Sequence, residues 1–231
     1  MVYLQKYNKA KHWCPLKSAG RTAYTTFRPP VLAALEHTME NEIITFLQAV
    51  GENDFSLVKK MLDSGHSPSE PSEYGNTPLC NAVQSKSTEM IDLLLQYGAD
   101  VNELITYKSP VDGRVKESYT PLLFAFDVST IHFLHKMGAN INYQAPNGLT
   151  LLMICAVVPS AEYIAIVKML LQLGADKNIT TNQYKGKSGV FTAADIVLVE
   201  QEFLNKLNRK YHNEKMDIAI EKLSKMYELL A

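Results

Sequence analysis

The sequence has few of the features on which secreted and membrane proteins depend. Its 231 residues include three cysteines, Cys14, Cys80 and Cys155, and this odd, scattered set favours a reducing compartment over a disulfide framework. No run of about 18 apolar residues is present, so we expect no transmembrane helix. Polar side chains interrupt the N-terminal residues, which does not fit the apolar region of a secretory signal. We therefore expect a soluble, cytoplasmic protein.

Acidic residues are missing from the first 35 positions, although the whole chain is close to neutral. It carries 23 basic and 24 acidic residues, which argues against a general binder of nucleic acids. Residues 1–39 combine this local basic character with aromatic side chains that include Trp13, and Pro30 is suited to open a short helix. We interpret this segment as a basic, aromatic arm with a capping helix. It either covers the first structural unit or binds a partner.

Signatures of common enzyme and metal sites are also missing. There is no HExxH, no GxSxG and no paired CxxC motif. Gly186-Lys187-Ser188 matches the end of a phosphate-binding loop, but Thr181 stands where the earlier glycine is required. His132 and His135 could share a metal, yet no Cys or carboxylate set completes a tetrahedral site. We predict no enzyme activity, no cofactor and no metal, and the alternative is a small enzyme or a metal- or ligand-binding protein.

Residues 74–102 have the pattern of one helix–turn–helix unit. Thr77-Pro78 suits the start of a helix, because Thr accepts a hydrogen bond from a free backbone amide and Pro needs no donor there. A second helix follows with apolar residues at helical spacing, and Gly98 supplies the left-handed residue that ends it. Leu94 and Leu95 belong to the apolar positions of this second helix, so we predict that both are buried.

The same pattern recurs along the chain. When the pattern is shifted back by 33 positions, Gly65 aligns with Gly98. Near the other end of the chain, a weaker start of the pattern lies at residues 186–194. Two clear restarts lie between the unit at residues 74–102 and the weaker start at residues 186–194. One runs from Thr120 to Gly138, and the other runs from Thr150 to Gly174. The two restarts span 18 and 24 residues, against 21 from Thr77 to Gly98. We expect these differences in the turns between helices, where they cost little.

Thr77-Pro78-Leu79-Cys80-Asn81-Ala82, followed by Gly98-Ala99-Asp100-Val101-Asn102, resembles the ankyrin repeat, whose sequence mark is TPLHxA. The resemblance implies an all-α solenoid of about five helix–turn–helix repeats, with short β-hairpin tips and helical caps. The first and last repeats are irregular, as terminal repeats are expected to be. We divide residues 40–231 into repeats at about 40–72, 73–115, 116–144, 145–182 and 183–231.

The resemblance also implies a function, because ankyrin repeats hold protein partners with their hairpin tips and a concave face lined by the first helices. We therefore predict a monomeric protein-binding module with a protein partner of unknown identity and no nucleic-acid or membrane partner. A bacterial or viral factor acting on host proteins is one setting, which places it in the bacterial cytoplasm or the host cytosol. Carried over by position, the candidate contact residues are Glu73, Tyr74, Asn76, Gln84, Ser85, Lys116, Tyr119, Asp127, Tyr143 and Asn147.

An insertion separates the second and third repeats. Thr120 follows Thr77 by 43 residues, ten more than the repeat needs. Residues 111–115 place an Asp-Gly turn between β-branched residues, which predicts an extended β-hairpin. Its aromatic and cationic residues resemble those of interface hot spots, although a long loop also costs little and could be a passenger. These candidate contact residues are Tyr107, Lys108, Arg114 and Lys116.

Overall fold

The computed structural model describes residues 42–72, 75–108 and 115–231, and for residues 107, 108 and 115–117 it describes the backbone. The predicted N-terminal arm lies outside the described residues. So do three of the candidate contact residues, Glu73, Tyr74 and Arg114.

The described chain is a series of helix pairs, and the two helices of each pair are joined by a short turn. The first two pairs are α1 (residues 42–51) with α2 (Phe55–Asp63), and α3 (Pro78–Gln84) with α4 (Thr88–Gln96). The third repeat pairs a 3-10 helix (Pro121–Phe124) with α5 (Val128–Lys136). The last two pairs are α6 (Leu151–Ala156) with α7 (Ala161–Gln172), and α8 (Ala193–Tyr211) with α9 (Glu214–Leu230). This arrangement confirms the predicted all-α repeat solenoid.

The first helices of repeats two and four begin as predicted. The side chain of Thr77 accepts a hydrogen bond from the backbone N–H of Cys80 at 3.2 Å, and Pro78 occupies the first helical turn. Thr150 accepts one from the N–H of Met153 at 3.3 Å. Each threonine satisfies one of the amides that a helix leaves free at its start.

The second helices end with the predicted left-handed glycine. Gly98 has φ +96°, its N–H donates to the carbonyl of Leu95, and the N–H of Ala99 donates to the carbonyl of Leu94. This pair of bonds is the Schellman motif, which only a residue with positive φ can close. The equivalent glycines that end α2, α5 and α7 make the same pair of bonds, and they are Gly65, Gly138 and Gly174.

An asparagine after two of the glycine turns connects successive repeats. The side-chain amide of Asn102 donates to the carbonyl of Gly138 at 2.9 Å, and its oxygen accepts from the N–H of Asn140 at 2.8 Å. Asn142 makes the equivalent bonds to the next repeat at 3.3 and 2.8 Å. This ladder fixes the spacing of repeats two, three and four through the backbone.

The core follows one stripe of each helix. Leu94 is 0% exposed, as predicted, and it lies on the same side of α4 as Met90 and Ile91. Leu95 is half-buried, so the prediction that both leucines are buried is wrong for Leu95. The reason is helical geometry, because Leu95 lies at the edge of the stripe, about 100° around the helix from Leu94.

The length differences between repeats are only partly in the turns. The connections inside repeats two and three both have three residues, so the expected short turn in repeat three is wrong. The missing length is taken from the first helix, which is reduced to a 3-10 helix because Ala125 has extended backbone angles. In repeat four the connection has four residues, and α7 has 12 residues against nine in α4.

Two β-hairpins accompany the helices. Strand β1 (Ile105–Lys108) pairs antiparallel with β2 (Val115–Tyr119), which confirms the hairpin predicted in the insertion. A second hairpin pairs β3 (Thr181–Tyr184) with β4 (Lys187–Phe191) before α8. It was not predicted, and it explains Gly186-Lys187-Ser188 as a turn that enters a strand rather than a phosphate-binding loop.

The last repeat has longer helices than the others. Thr192 and Asp195 form a capping box at the start of α8, which runs for 19 residues until His212 adopts a left-handed conformation. Leu223, Met226 and Leu230 of α9 are buried in the core. Within residues 42–231, apart from the gaps given above, no helix is long and apolar enough to cross a membrane.

Candidate protein-binding face

The hairpin tips of repeats two and four have the same kind of backbone turn. The N–H of Ser72 donates to the carbonyl of Asn76 at 2.9 Å, and the N–H of Gly75 donates to the carbonyl of Ser72 at 2.9 Å. Before α6, the N–H of Ala145 donates to the carbonyl of Leu149, also at 2.9 Å. Asn76 and Leu149 therefore occupy equivalent positions on the two tips.

The tip of repeat four is closely packed. Gly148 has φ +79°, and a Cβ atom at this position would lie 2.5 Å from Oγ1 of Thr181, the first residue of β3. The same hydroxyl donates to the carbonyl of Asn147 at 3.2 Å. Because both contacts hold the backbone, the tip presents Asn147 from a fixed position.

Three candidate contact residues have structural roles. Tyr119 is 8% exposed and packs edge-on against Phe124, with ring centroids 5.9 Å apart, so a role in binding does not fit its burial. Asp127 caps α5 by accepting a hydrogen bond from the N–H of Thr130 at 2.9 Å. Tyr143 is half-buried, and its hydroxyl donates to the carbonyl of Ser118 at 3.2 Å.

The other described candidates lie on the two tips, at the end of the first helix of repeat two and in the inserted hairpin. Gln84 and Asn147 are exposed, and Asn76 and Ser85 are half-buried. Gln84 donates to the sulfur of Cys80 at 3.1 Å, which holds its side chain along α3. Tyr107, Lys108 and Lys116 lie in the strands of the β1–β2 hairpin. The structure thus divides these candidates among repeat two, the tip of repeat four and the inserted hairpin.

Two carboxyl groups near the insertion have pKa values shifted in opposite directions. Burial raises the pKa of Glu103. For Asp127 burial acts in the same direction, but hydrogen bonds from Thr130 and Ser129 outweigh it and lower the pKa of the group. Lys86 lowers it further. The difference follows from bonding, because Asp127 is a helix cap and Glu103 is not.

Aligned repeats show a change of character along the first helices, which the sequence interpretation missed. Asn81, Gln84 and Ser85 of repeat two correspond to Ile154, Val157 and Val158 of repeat four, and Phe124 of repeat three corresponds to Asn81. All four apolar side chains are half-buried. We call these seven residues the first-helix face. The spacing of the threonine restarts could have revealed its apolar half, since the equivalences need only the repeat register.

The family assignment rests on the greater part of the chain. A family model described as "Ankyrin repeats (3 copies)" matches residues 46–145, and one described as "Ankyrin repeat" matches residues 147–182. The chain belongs to the ankyrin-repeat family. Members of this family are generally protein–protein interaction modules and are typically not enzymes.

Curated relatives of this ankyrin-repeat protein match it over short stretches. The "Ankyrin repeat, SAM and basic leucine zipper domain-containing protein 1" of Oryctolagus cuniculus is 37% identical over 75 residues, 32% of this chain and 16% of the relative. Its counterpart in Mus musculus is 38% identical over 64 residues, 28% of this chain and 14% of the relative. The chain therefore aligns with about one sixth of the length of these relatives.

His132 and His135 have no third metal-ligating side chain beside them among the described residues of this ankyrin-repeat protein. His132 is exposed on α5, and His135 is half-buried with an Nδ1 atom that has no hydrogen-bond partner among the described residues. In the same part of the chain, no group of three or more His, Cys, Asp or Glu side chains is placed to hold a metal ion.

Proposed function

We propose that this ankyrin-repeat protein binds a protein partner with its hairpin tips and its first-helix face, and that the apolar half of that face is the centre of the contact. The change from polar residues in repeat two to half-buried apolar residues in repeats three and four carries the proposal. Interfaces commonly place apolar residues at their centre and polar residues at the rim. Gln84 and Ser85 would then belong to the rim, and Ile154 and Val157 to the centre.

The β1–β2 hairpin supplies the second part of the proposed contact. Its root is held by the core, because Ile105 is 0% exposed and lies opposite Tyr119 in the strand register. Leu104 beside the root is 59% exposed, which adds an apolar group on the solvent side. A hairpin with a fixed root loses little conformational entropy when its outer part meets a partner.

A valine-to-glutamine pair tests the first-helix face. Val157→Gln places in repeat four the residue that repeat two has at the equivalent position, Gln84. Val128→Gln is the matched control, because Val128 is exposed at the start of a second helix. With a partner captured by the full chain, calorimetry should show about tenfold weaker binding for Val157→Gln, equivalent to about 1.4 kcal/mol, and less than about twofold for Val128→Gln. Equal affinities for the two variants would contradict the proposal.

Replacing the outer part of the hairpin tests its contribution. A short Gly-containing turn in place of residues 107–116 keeps Ile105 and Tyr119, so thermal stability should change little. Binding of the same partner should fall by at least about tenfold if the hairpin makes contact. Undiminished affinity would make the hairpin a passenger and leave recognition to the helices.

The setting of this function belongs to the same proposal. We propose a monomer that binds protein rather than nucleic acid and acts in the cytoplasm, and a bacterial or viral factor acting on host proteins is one form of it. Light scattering of the purified chain checks the monomer, and partner capture from host and bacterial lysates separates the settings. The alternative, a small enzyme or ligand-binding protein, would require tight stoichiometric metal or nucleotide in the purified protein.

A further inference from the structure

Glu103 is an acidic residue at the root of the inserted hairpin. It follows Asn102 of the asparagine ladder, and its N–H donates to the carbonyl of Asp100 at 3.0 Å. Its side chain is half-buried, and both carboxyl oxygens are shielded from solvent. Neither oxygen has a hydrogen-bond partner of normal geometry within the described residues. A buried carboxylate in this condition costs much more free energy than the neutral acid.

The groups around Glu103 come from three parts of the chain. The hydroxyl groups of Ser69, before the tip of repeat two, and of Thr77, at the start of α3, lie beside the carboxyl group and favour its ionised form. Asp100 is the one charged group of the described chain that acts on it, and its negative charge opposes ionisation. Burial is the largest influence, and the balance raises the pKa of Glu103.

The position of Glu103 links this group to the hairpin. Ile105, two residues later, is 0% exposed and opens β1 opposite Tyr119. Because Leu104 and β1 follow Glu103 directly, a backbone movement that carries the ionised carboxyl group toward water also displaces the start of β1. The far side of the hairpin root is held by Thr120, which is 2% exposed.

We propose that Glu103 makes the root of the β1–β2 hairpin sensitive to pH, so that ionisation of this side chain loosens the root and protonation tightens it. The sign follows from the geometry. When the group is neutral, the buried position carries no charge and can donate one hydrogen bond to a neighbouring hydroxyl. When it is charged, the same position leaves a carboxylate beside Asp100 without a counter-charge among the described residues. This device does not depend on the identity or existence of a binding partner.

Amide hydrogen exchange of the free, full-length protein tests the inference. Exchange at residues 105–107 is measured from about pH 8 to about pH 4, just below the ordinary pKa of a glutamate, and corrected for the intrinsic effect of pH. In the wild type, protection should rise at least about threefold as the pH falls. Glu103→Gln, which cannot ionise, should show high protection with no pH dependence. Glu89→Gln on α4 is the matched control, since Glu89 is exposed, and it should keep the wild-type profile.

A second variant keeps the test decisive if Glu103→Gln folds poorly. Asp100→Asn removes the neighbouring charge but keeps the oxygen that accepts a hydrogen bond from the N–H of Asn102. It should move the midpoint of the pH-dependent protection to lower pH. Identical profiles for the wild type and Glu103→Gln, or an unchanged midpoint in Asp100→Asn, would overturn the inference.

Discussion

Repeats two and three begin with the same Thr-Pro-Leu motif, yet they build different first helices. In repeat two Thr77 caps a helix of seven residues, whereas Thr120 makes no capping bond and the chain forms four residues of 3-10 helix. Their second helices, α4 and α5, both have nine residues, and each ends in the same glycine motif. The second helix and its end therefore define the repeat, while the first helix can vary. This variation falls on the side where we place the partner.

The largest difference is expected in the buried stripe of α4. Leu94→Ala should cost about 2 to 5 kcal/mol, because it leaves a cavity between packed helices. Leu95→Ala should cost about 1 to 2 kcal/mol, since part of that side chain already meets solvent. Denaturant unfolding of both variants measures the difference. A cost below about half a kcal/mol for Leu94→Ala would mean that the assigned register is wrong.

Substitutions at Gly98 and Gly148 distinguish the cost of backbone strain from the cost of a steric clash. Gly98→Ala should cost about 1 kcal/mol through its positive φ, because no atom lies within 4 Å of the added Cβ. Gly148→Ala should cost more, since its Cβ would also collide with the hydroxyl of Thr181. Gly98→Asn should be milder than Gly98→Val, because Asn tolerates the left-handed region. If thermal unfolding shows a larger loss of stability for Gly98→Ala than for Gly148→Ala, the packing described for the tip is contradicted.

The threonines give the smallest and most direct contrast between repeats two and three. Thr77→Val should cost about 0.5 to 2 kcal/mol, because it removes the cap of α3. Thr120→Val should be close to neutral or stabilising, since the buried hydroxyl of Thr120 has no hydrogen-bond partner among the described residues. Thr77→Ser keeps the hydroxyl and controls for the change of shape. Equal losses in both valine variants would show that Thr120 also caps its helix.

The ends of the repeats could be predicted from the sequence because they depend on local chemistry. Thr77-Pro78 and Gly98 act within a few residues of their own positions, so their roles follow from residue type and spacing. The inserted hairpin was predicted for the same reason, from its Asp-Gly turn. Repeat boundaries and the N-terminal arm stay predictions.

The features that escaped prediction depend on tertiary packing. The pattern around Thr120 matches that of Thr77, and only the shorter distance to the glycine that ends the repeat, 18 residues against 21, indicates that a segment must shorten. Tyr119 is polar enough for a surface, but its strand position turns it into the core opposite Ile105. The pH-sensitive position of Glu103 could not be foreseen, because its neighbours Ser69 and Thr77 lie 34 and 26 residues earlier in the chain.

The central claim is that a protein partner meets the first-helix face and the hairpins. Hydrogen exchange of the captured complex, compared with the free chain, tests it most directly. The account predicts new protection in α3, in residues 121–124, in α6 and in the β1–β2 hairpin, with little change in the second helices α2, α4, α5 and α7. New protection confined to those second helices would place the partner on the opposite side and contradict the account.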